Sequence, residues 1–110
     1  MEGQLANTLK QYYIRQGNRV IFTNGMTLNE LADTLAVLVE GYEVDASVLS
    51  KAINGHRLIA PRIIKALVEV LNLAPEQHWE LQCAFMKDDA LRRYGIDLDL
   101  PDAFPGSLLW

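Results

Sequence analysis

Residues 27–73 read TLNELADTLAVLVEGYEVDASVLSKAINGHRLIAPRIIKALVEVLNL and predict three consecutive helices. Thr27 and Glu30 have the spacing of a capping box, in which the threonine hydroxyl accepts a hydrogen bond from the Glu30 amide and the glutamate carboxylate accepts one from the Thr27 amide. Apolar residues then recur at helical spacing as far as Gly41, a residue type that readily adopts the left-handed conformation in which helices end. The first helix of the stretch is therefore expected to begin at Thr27 and to end at Gly41.

The second and third helices of the stretch carry their own end signals. Asp45 can cap a helix over residues 46–54, and Gly55 can end it. The residues predicted to face inward along this helix are Val48, Leu49, Ala52 and Ile53. Pro61 at a first helical position then opens the third helix, whose apolar stripe continues to Leu71.

The N-terminal segment extends the helical pattern. Two leucines and a tyrosine recur at helical spacing before Gly17, which predicts a helix over residues 4–16. Residues 18–25 are β-branched and aromatic and end in an Asn-Gly pair, so a loop or a brief strand is expected there instead of a helix.

The C-terminal part is predicted to hold one long helix and a tail. Pro75 opens a fifth helix that continues to Tyr94, just before Gly95. Residues 96–110 first alternate apolar and acidic side chains and then contain two prolines, so they are expected either to extend as an arm or to wrap against their own domain. The expected fold class is therefore all-α, with a five-helix domain over residues 1–95 and an extended acidic and apolar tail over residues 96–110.

The composition is that of one globular domain. The chain has 110 residues, of which 50% are apolar, enough to build a core without disulfides or metal ions. Cys83 is the single cysteine, so a disulfide framework and a site made of several thiols are excluded. No apolar run approaches the roughly 18 residues that a membrane helix needs, and the first residues lack a signal-peptide core, so a cytoplasmic protein without membrane contact is expected.

The net charge of −4 and the pI of about 5.0 do not by themselves favour a nucleic-acid partner, because lysine and arginine supply most of the non-specific affinity for phosphates. The acidity is unevenly distributed, however. Residues 1–66 carry seven basic and six acidic side chains, a net +1, whereas residues 67–110 carry three and eight, a net −5. The N-terminal part is therefore the part that can meet a polyanion.

Two short helices joined by a turn and followed by a proline-initiated helix are the arrangement with which many proteins read the major groove of DNA. The segments MTLNELADTLA (26–36), VDASVLSKAINGHR (44–57) and APRIIKALVEVLNLAPEQ (60–77) resemble the helix-turn-helix domain of lambda repressor and Cro, the Xre family. The resemblance covers residues 26–78, and residues 4–16 fit that family's first helix. It implies a lambda-repressor-like fold with the motif core in residues 27–73, and binding to double-stranded DNA.

The resemblance also implies a set of DNA-binding residues. The positions that meet base edges in the family are Ala46, Ser47, Ser50 and Lys51, and those along a phosphate strand are Asn54, Gly55 and Arg57. The chemistry is suitable, because Lys51 can donate to guanine acceptors and the helix that begins at Thr27 offers amides to a phosphate. A merely solvated helix face is the alternative interpretation of the same residues, and a plain helix C-cap is the alternative for Gly55.

His56 and Arg62 complete the predicted DNA-binding set. His56 lies beside Arg57 and can touch a phosphate. A DNA reader is also expected to gather its basic side chains on one face. The side chains expected there are Lys51, Arg57, Arg62 and Arg19.

Patterns typical of enzymes and metal sites are absent from the sequence. His56 and His78 stand far apart, without a His-Glu-x-x-His, Cys-x-x-Cys or Gly-x-Ser-x-Gly pattern near them, so no catalytic residue, metal ligand or cofactor is expected. Asp88 and Asp89 lack the spacing of a calcium loop and are expected to be solvated charges. Trp79 is expected in the core or at the apolar centre of a subunit contact.

The function predicted from these observations is a sequence-specific DNA-binding regulator of transcription, of bacterial or phage origin and most simply a repressor. It would read the major groove with helix 46–54 and act as a homodimer through the fifth helix and the tail, because one such helix reads only a few base pairs. The alternative is a protein-interaction module, an antitoxin or an adaptor, that holds a protein partner and binds DNA weakly or not at all. The fold alone does not distinguish the two.

Overall fold

Five α-helices and one two-stranded antiparallel hairpin are present in the residues that the computed structural model describes, 3–41 and 43–100. In chain order these elements are α1 (Gln4–Leu9), β1 (Tyr13–Gln16), β2 (Arg19–Phe22), α2 (Leu28–Leu38), α3 (Ala46–Ile53), α4 (Pro61–Leu71) and α5 (Pro75–Tyr94), with a 3₁₀ turn (Lys10–Tyr12) between α1 and β1. The described part of the protein is therefore mostly helical but not purely all-α.

One hydrophobic core joins the helices. Helix α1 packs on α5 and α3, and α2 packs on α3 and α4, so that α3 is held from two sides. The largest side chains that are fully buried come from several elements and are Leu5, Leu31, Leu35, Ile59, Ile64, Leu67 and Leu81. Burying a leucine or isoleucine contributes about 1.5 to 3 kcal/mol, so these contacts are what holds the short helices in place.

The start of α1 is held by a carboxylate from the other end of the chain. Asp88 on α5 is only 6% exposed, and its two carboxylate oxygens accept hydrogen bonds from the amides of Gln4 (2.8 Å) and Leu5 (2.9 Å). A carboxylate satisfies amides that the first turn of a helix otherwise leaves without a partner. The expectation that Asp88 is a solvated charge is therefore wrong.

The helix predicted over residues 4–16 is shorter than expected. It ends at Leu9, and residues 13–16 form strand β1, in which Tyr13 pairs with Phe22 of β2. The two rings meet edge to face with their centroids 5.8 Å apart, and both side chains are buried. Because aromatic and β-branched residues pack well across paired strands, this contact with a distant residue overrides the helical spacing of the preceding leucines.

The hairpin turn explains why Gly17 does not end a helix. Gly17 and Asn18 form the two-residue connection between β1 and β2, and Gly17 has φ +61°, a left-handed conformation that glycine adopts without a steric penalty. A strand within residues 18–25 was one of the two expectations, and β2 confirms it. The all-α prediction is wrong to the extent of this hairpin.

Helix α2 ends three residues before Gly41. Its last helical residue is Leu38, and Val39 adopts an extended conformation that turns its side chain into the core. Val37, in contrast, is 81% exposed. The burial of Val39 therefore coincides with the end of the helix, and the described residues between α2 and α3, 39–41 and 43–45, have no regular secondary structure.

The remaining helix predictions agree with the structure to within a residue. Helix α3 has Asn54 as its C-cap, and α4 and α5 begin at the two predicted prolines. Residues 96–100 have no regular secondary structure. The rest of the predicted tail, residues 101–110, lies outside the described residues. No helix within residues 3–41 and 43–100 is long and apolar enough to cross a membrane.

Candidate nucleic-acid interface

Helix α3 presents a polar face to solvent. Its apolar side is buried among the other helices through Val48, Leu49, Ala52 and Ile53. The predicted base-reading residues lie on the opposite side, where Ser47 and Lys51 are exposed and Ala46 and Ser50 are half-buried. Asn54, the exposed C-cap, continues this face. The helix begins where predicted, because an Asp45 carboxylate oxygen accepts the Val48 amide at 2.8 Å.

The C-terminal end of α3 is fixed by backbone hydrogen bonds. The His56 amide donates to the Lys51 carbonyl (2.8 Å) and the Gly55 amide to the Ala52 carbonyl (3.2 Å), which is the Schellman arrangement. Gly55 has φ +80°, as this arrangement requires. Arg92 on α5 donates to the Gly55 carbonyl at 3.2 Å and so ties this end to the long helix. His56 itself is exposed beside this turn.

A groove runs between α3, the start of α2 and the hairpin. Its polar lining comes from all three elements and consists of Arg15, Asn18, Arg19, Thr27, Asn29, Ser50 and Asn54. The Arg15 guanidinium donates to Asn54 Oδ1 at 2.9 Å and also lies 5.7 Å from the centre of the Tyr13 ring. Asn54 Nδ2 in turn lies 3.5 Å from Ser50 Oγ. The hairpin thus places an arginine directly against the polar face of α3.

The start of α2 forms one wall of this groove. The predicted capping box is present, because Thr27 Oγ1 accepts the Glu30 amide (3.3 Å) and Glu30 Oε1 accepts the Thr27 amide (3.0 Å). The hydrogen bonds from the Thr27 backbone and side chain hold the pKa of Glu30 below its usual value, and the nearby Arg19 acts in the same direction. Glu30 is therefore ionised at neutral pH and offsets part of the positive charge of the hairpin.

Three of the four basic residues that were expected to gather on one face line different grooves, namely Arg19, Arg57 and Arg62. Arg19 lines the groove described above, together with the predicted polar residues Thr27, Ser50 and Asn54. Lys51 lies on the same face of α3 as Ser50 and Asn54. Arg57 lines a second groove with Glu43, which precedes α3, with Val48 of α3, and with Asp89 and Arg93 of α5. Arg62 lines grooves on α4 with Lys65.

Arg15 was not among the predicted site residues, although the sequence contains a signal for it. The Gly17-Asn18 pair is one of the dipeptides that connect hairpin strands in two-residue turns. Residues 13–16 and 19–22 flank it with aromatic and β-branched side chains. Reading this pattern as a hairpin, instead of ending a helix at Gly17, would have placed Arg15 and Arg19 on neighbouring strands.

Other residues with potential chemistry are scattered. His78, in the first turn of α5, has its Nε2 3.3 Å from Gln82 Nε2, and burial together with the positive charge of Lys65 lowers its pKa. Cys83 and Trp79 are buried. Within the described ranges, no three histidine, cysteine or carboxylate side chains cluster in a way that could hold a metal ion.

Comparison with known proteins finds no matching family model, no similar curated protein and no similar solved structure. We therefore infer function from the positions and the chemistry of these residues alone.

Proposed function

We propose that the protein is a sequence-specific DNA-binding regulator of transcription that inserts α3 into the major groove. The observation that carries the proposal is the division of α3 into a buried apolar side and an exposed polar side, with Arg15 bonded to Asn54 at its edge. A helix with this division can enter the groove without losing its own packing. As a repressor, the protein would act by occupying its operator.

The residues proposed to read bases are the exposed ones on α3. Lys51 can donate to the O6 and N7 acceptors of guanine, and the Ser47 hydroxyl can donate or accept. Thr27, Asn54, His56, Arg57 and Arg62 are proposed as contacts to the sugar-phosphate backbone, which fix the orientation of α3 without reading sequence.

We further propose that the regulator is a homodimer. Leu91, Tyr94 and Ile96 are exposed at the end of α5, with Tyr94 69% exposed. Apolar side chains in such a cluster are typical of a protein contact. A pair of recognition helices related by two-fold symmetry would read two half-sites, which supplies the specificity that one helix lacks.

The second candidate is a protein-interaction module. It is favoured by the distribution of Arg19, Arg57 and Arg62 over different grooves, since a DNA reader gains from gathering basic side chains and an adaptor has no need to. In this case the apolar end of α5 and the tail would hold a different protein.

Selection from random duplex DNA tests the two candidates. The purified protein is bound to the pool at about 50 and 200 mM salt, with Lys51→Ala and Lys87→Ala in parallel. Lys87 lies on α5 in a groove with α1, away from α3, and so controls for the loss of one positive charge. We expect a palindromic site that Lys51→Ala binds about tenfold more weakly or more, corresponding to about 1 to 3 kcal/mol for one base contact, and that Lys87→Ala binds normally.

The other outcomes favour different functions. Salt-sensitive binding without sequence enrichment would indicate only a weak basic surface and would contradict sequence-specific regulation. Absence of binding at low salt would favour the protein-interaction module.

A further inference from the structure

We infer that the β1–β2 hairpin binds the DNA backbone, with Arg15 and Arg19 as its phosphate contacts, next to the helix that reads the bases. This inference rests on the proposed function of α3. It adds to the interface an element that helix-turn-helix readout does not require.

The position of the hairpin carries the inference. Both arginines are exposed, and both line the groove that Ser50 and Asn54 of α3 enter from the other side. The Arg15–Asn54 hydrogen bond of 2.9 Å brings the guanidinium to the edge of the proposed base-reading face. A duplex whose major groove holds α3 has a phosphate strand along each edge of that groove, and the hairpin lies along one such edge.

The charges agree with a polyanion as the ligand. Neither arginine forms an ion pair with a carboxylate in the described part of the chain, whereas Arg93 on α5 is paired with Asp89 at 2.8 Å. Glu30 is the acidic group that faces Arg19. Among the described residues, no hydrogen bond or ion pair joins Glu30 to Arg19, which leaves the hydrogen-bond donors of Arg19 available. Guanidinium groups bind phosphate oxygens through paired N–H donors.

Arg15 has a second role as a positioning residue. Its hydrogen bond to Asn54 links the hairpin to the end of α3, and the contact with the Tyr13 ring holds the guanidinium on the hairpin side. A phosphate bound by Arg15 would therefore fix the register of α3 on the duplex as well as add affinity.

The salt dependence of binding tests the hairpin directly. Using the site recovered by selection, dissociation constants are measured from 50 to 300 mM salt for the unaltered protein, Arg15→Ala, Arg19→Ala and the control Lys87→Ala. Each hairpin variant is expected to bind more weakly at low salt and to lower the slope of log K against log salt by about 1, the value for one lost phosphate contact. The Arg19→Ala variant should keep the base preference, while Lys87→Ala should keep the slope.

The possible results distinguish a failure of the hairpin inference from a failure of the proposed function. If the unaltered protein binds its site and Arg19→Ala retains the full slope, the hairpin inference is wrong while α3 remains the reading element. If the unaltered protein recovers no site, the proposed function itself fails. Arg15→Ala alone could disturb folding, so Arg19→Ala, which breaks no hydrogen bond to α3, is the variant that decides.

Discussion

Asp88 shows how a single side chain can connect the two ends of this chain. Its carboxylate accepts the amides at the start of α1, more than 80 residues away in sequence. An ideal Cβ placed on Gly3 would lie 2.6 Å from an Asp88 oxygen. The backbone just before α1 therefore approaches this carboxylate more closely than a residue with a side chain would allow. The contact makes α1 dependent on α5 for its N-terminal cap.

Replacement of Asp88 is expected to be costly to stability. Asp88→Ala leaves two amides at the start of α1 without their partner and should lower the free energy of unfolding by about 2 to 4 kcal/mol. The matched control is Asp89→Ala, which removes only a surface pair with Arg93 and should change the free energy by less than about 1 kcal/mol. Urea denaturation of the three proteins measures both values, and equal losses for the two variants would contradict the capping role.

Contacts between residues close in sequence could be predicted, whereas contacts between residues far apart in sequence could not. The Thr27–Glu30 and Asp45–Val48 caps are local, since both partners lie within three residues, and both were predicted. The Asp88 cap depends on how α5 crosses α1, which no short pattern encodes. The Arg15–Asn54 hydrogen bond was missed for the same reason.

The hairpin is the element whose secondary structure depends most on contacts with other segments of the chain. Tyr13 is in a strand because Phe22 is opposite it, and an isolated antiparallel bridge joins Ile21 of β2 to Thr27. These contacts also place the hairpin beside the start of α2. By comparison, α3, α4 and α5 carry caps, prolines and glycines at their own ends, which is why their bounds could be predicted.

The turn of the hairpin offers a test of this element alone. Gly17→Ala puts a Cβ on a residue with φ +61° and should destabilise the protein by about 1 to 2 kcal/mol through backbone strain. Apart from the two chain neighbours of Gly17, no atom of the described residues lies within 4 Å of that Cβ position, so the loss is assigned to strain and not to a clash. Gly17→Asn should lose less, because asparagine tolerates the left-handed region better than alanine does. Thermal melts of the two variants compare them, and an alanine variant as stable as the parent would rule out the strain.

Across the whole molecule, charge and exposed apolar surface are unevenly distributed along the chain. The side that carries the hairpin and α3 holds Arg15, Arg19 and Lys51, while the acidic residues are concentrated after residue 66. The exposed apolar residues at the end of α5 lie within the acidic part. The uneven charge along the chain was predicted from the sequence, but the grooves that Arg57 and Arg62 line were not, because they depend on how α4 and α5 pack.

Removal of the tail tests the proposed dimer. The protein without residues 96–110 is expected to be a monomer by light scattering, with somewhat less than half the molar mass of the full-length dimer, because the deletion removes Ile96 from the exposed apolar residues together with the rest of the tail. Circular dichroism of the shortened protein checks that the helices are retained. A shortened protein that is still a dimer would exclude the tail from the interface, and a monomeric full-length chain would contradict the dimer itself.

The hydrogen bond from Arg92 to the Gly55 carbonyl has a geometric consequence for such a dimer. It ties the last turns of α5, where the subunits are proposed to meet, to the end of the helix proposed to enter the groove. The distance between the two copies of α3 in the dimer would then be fixed by contacts within each subunit. Operators with half-sites about 10 base pairs apart, one helical turn, would satisfy both subunits at once. Insertion of about five base pairs would rotate one half-site to the far side of the duplex, beyond the reach of the second subunit.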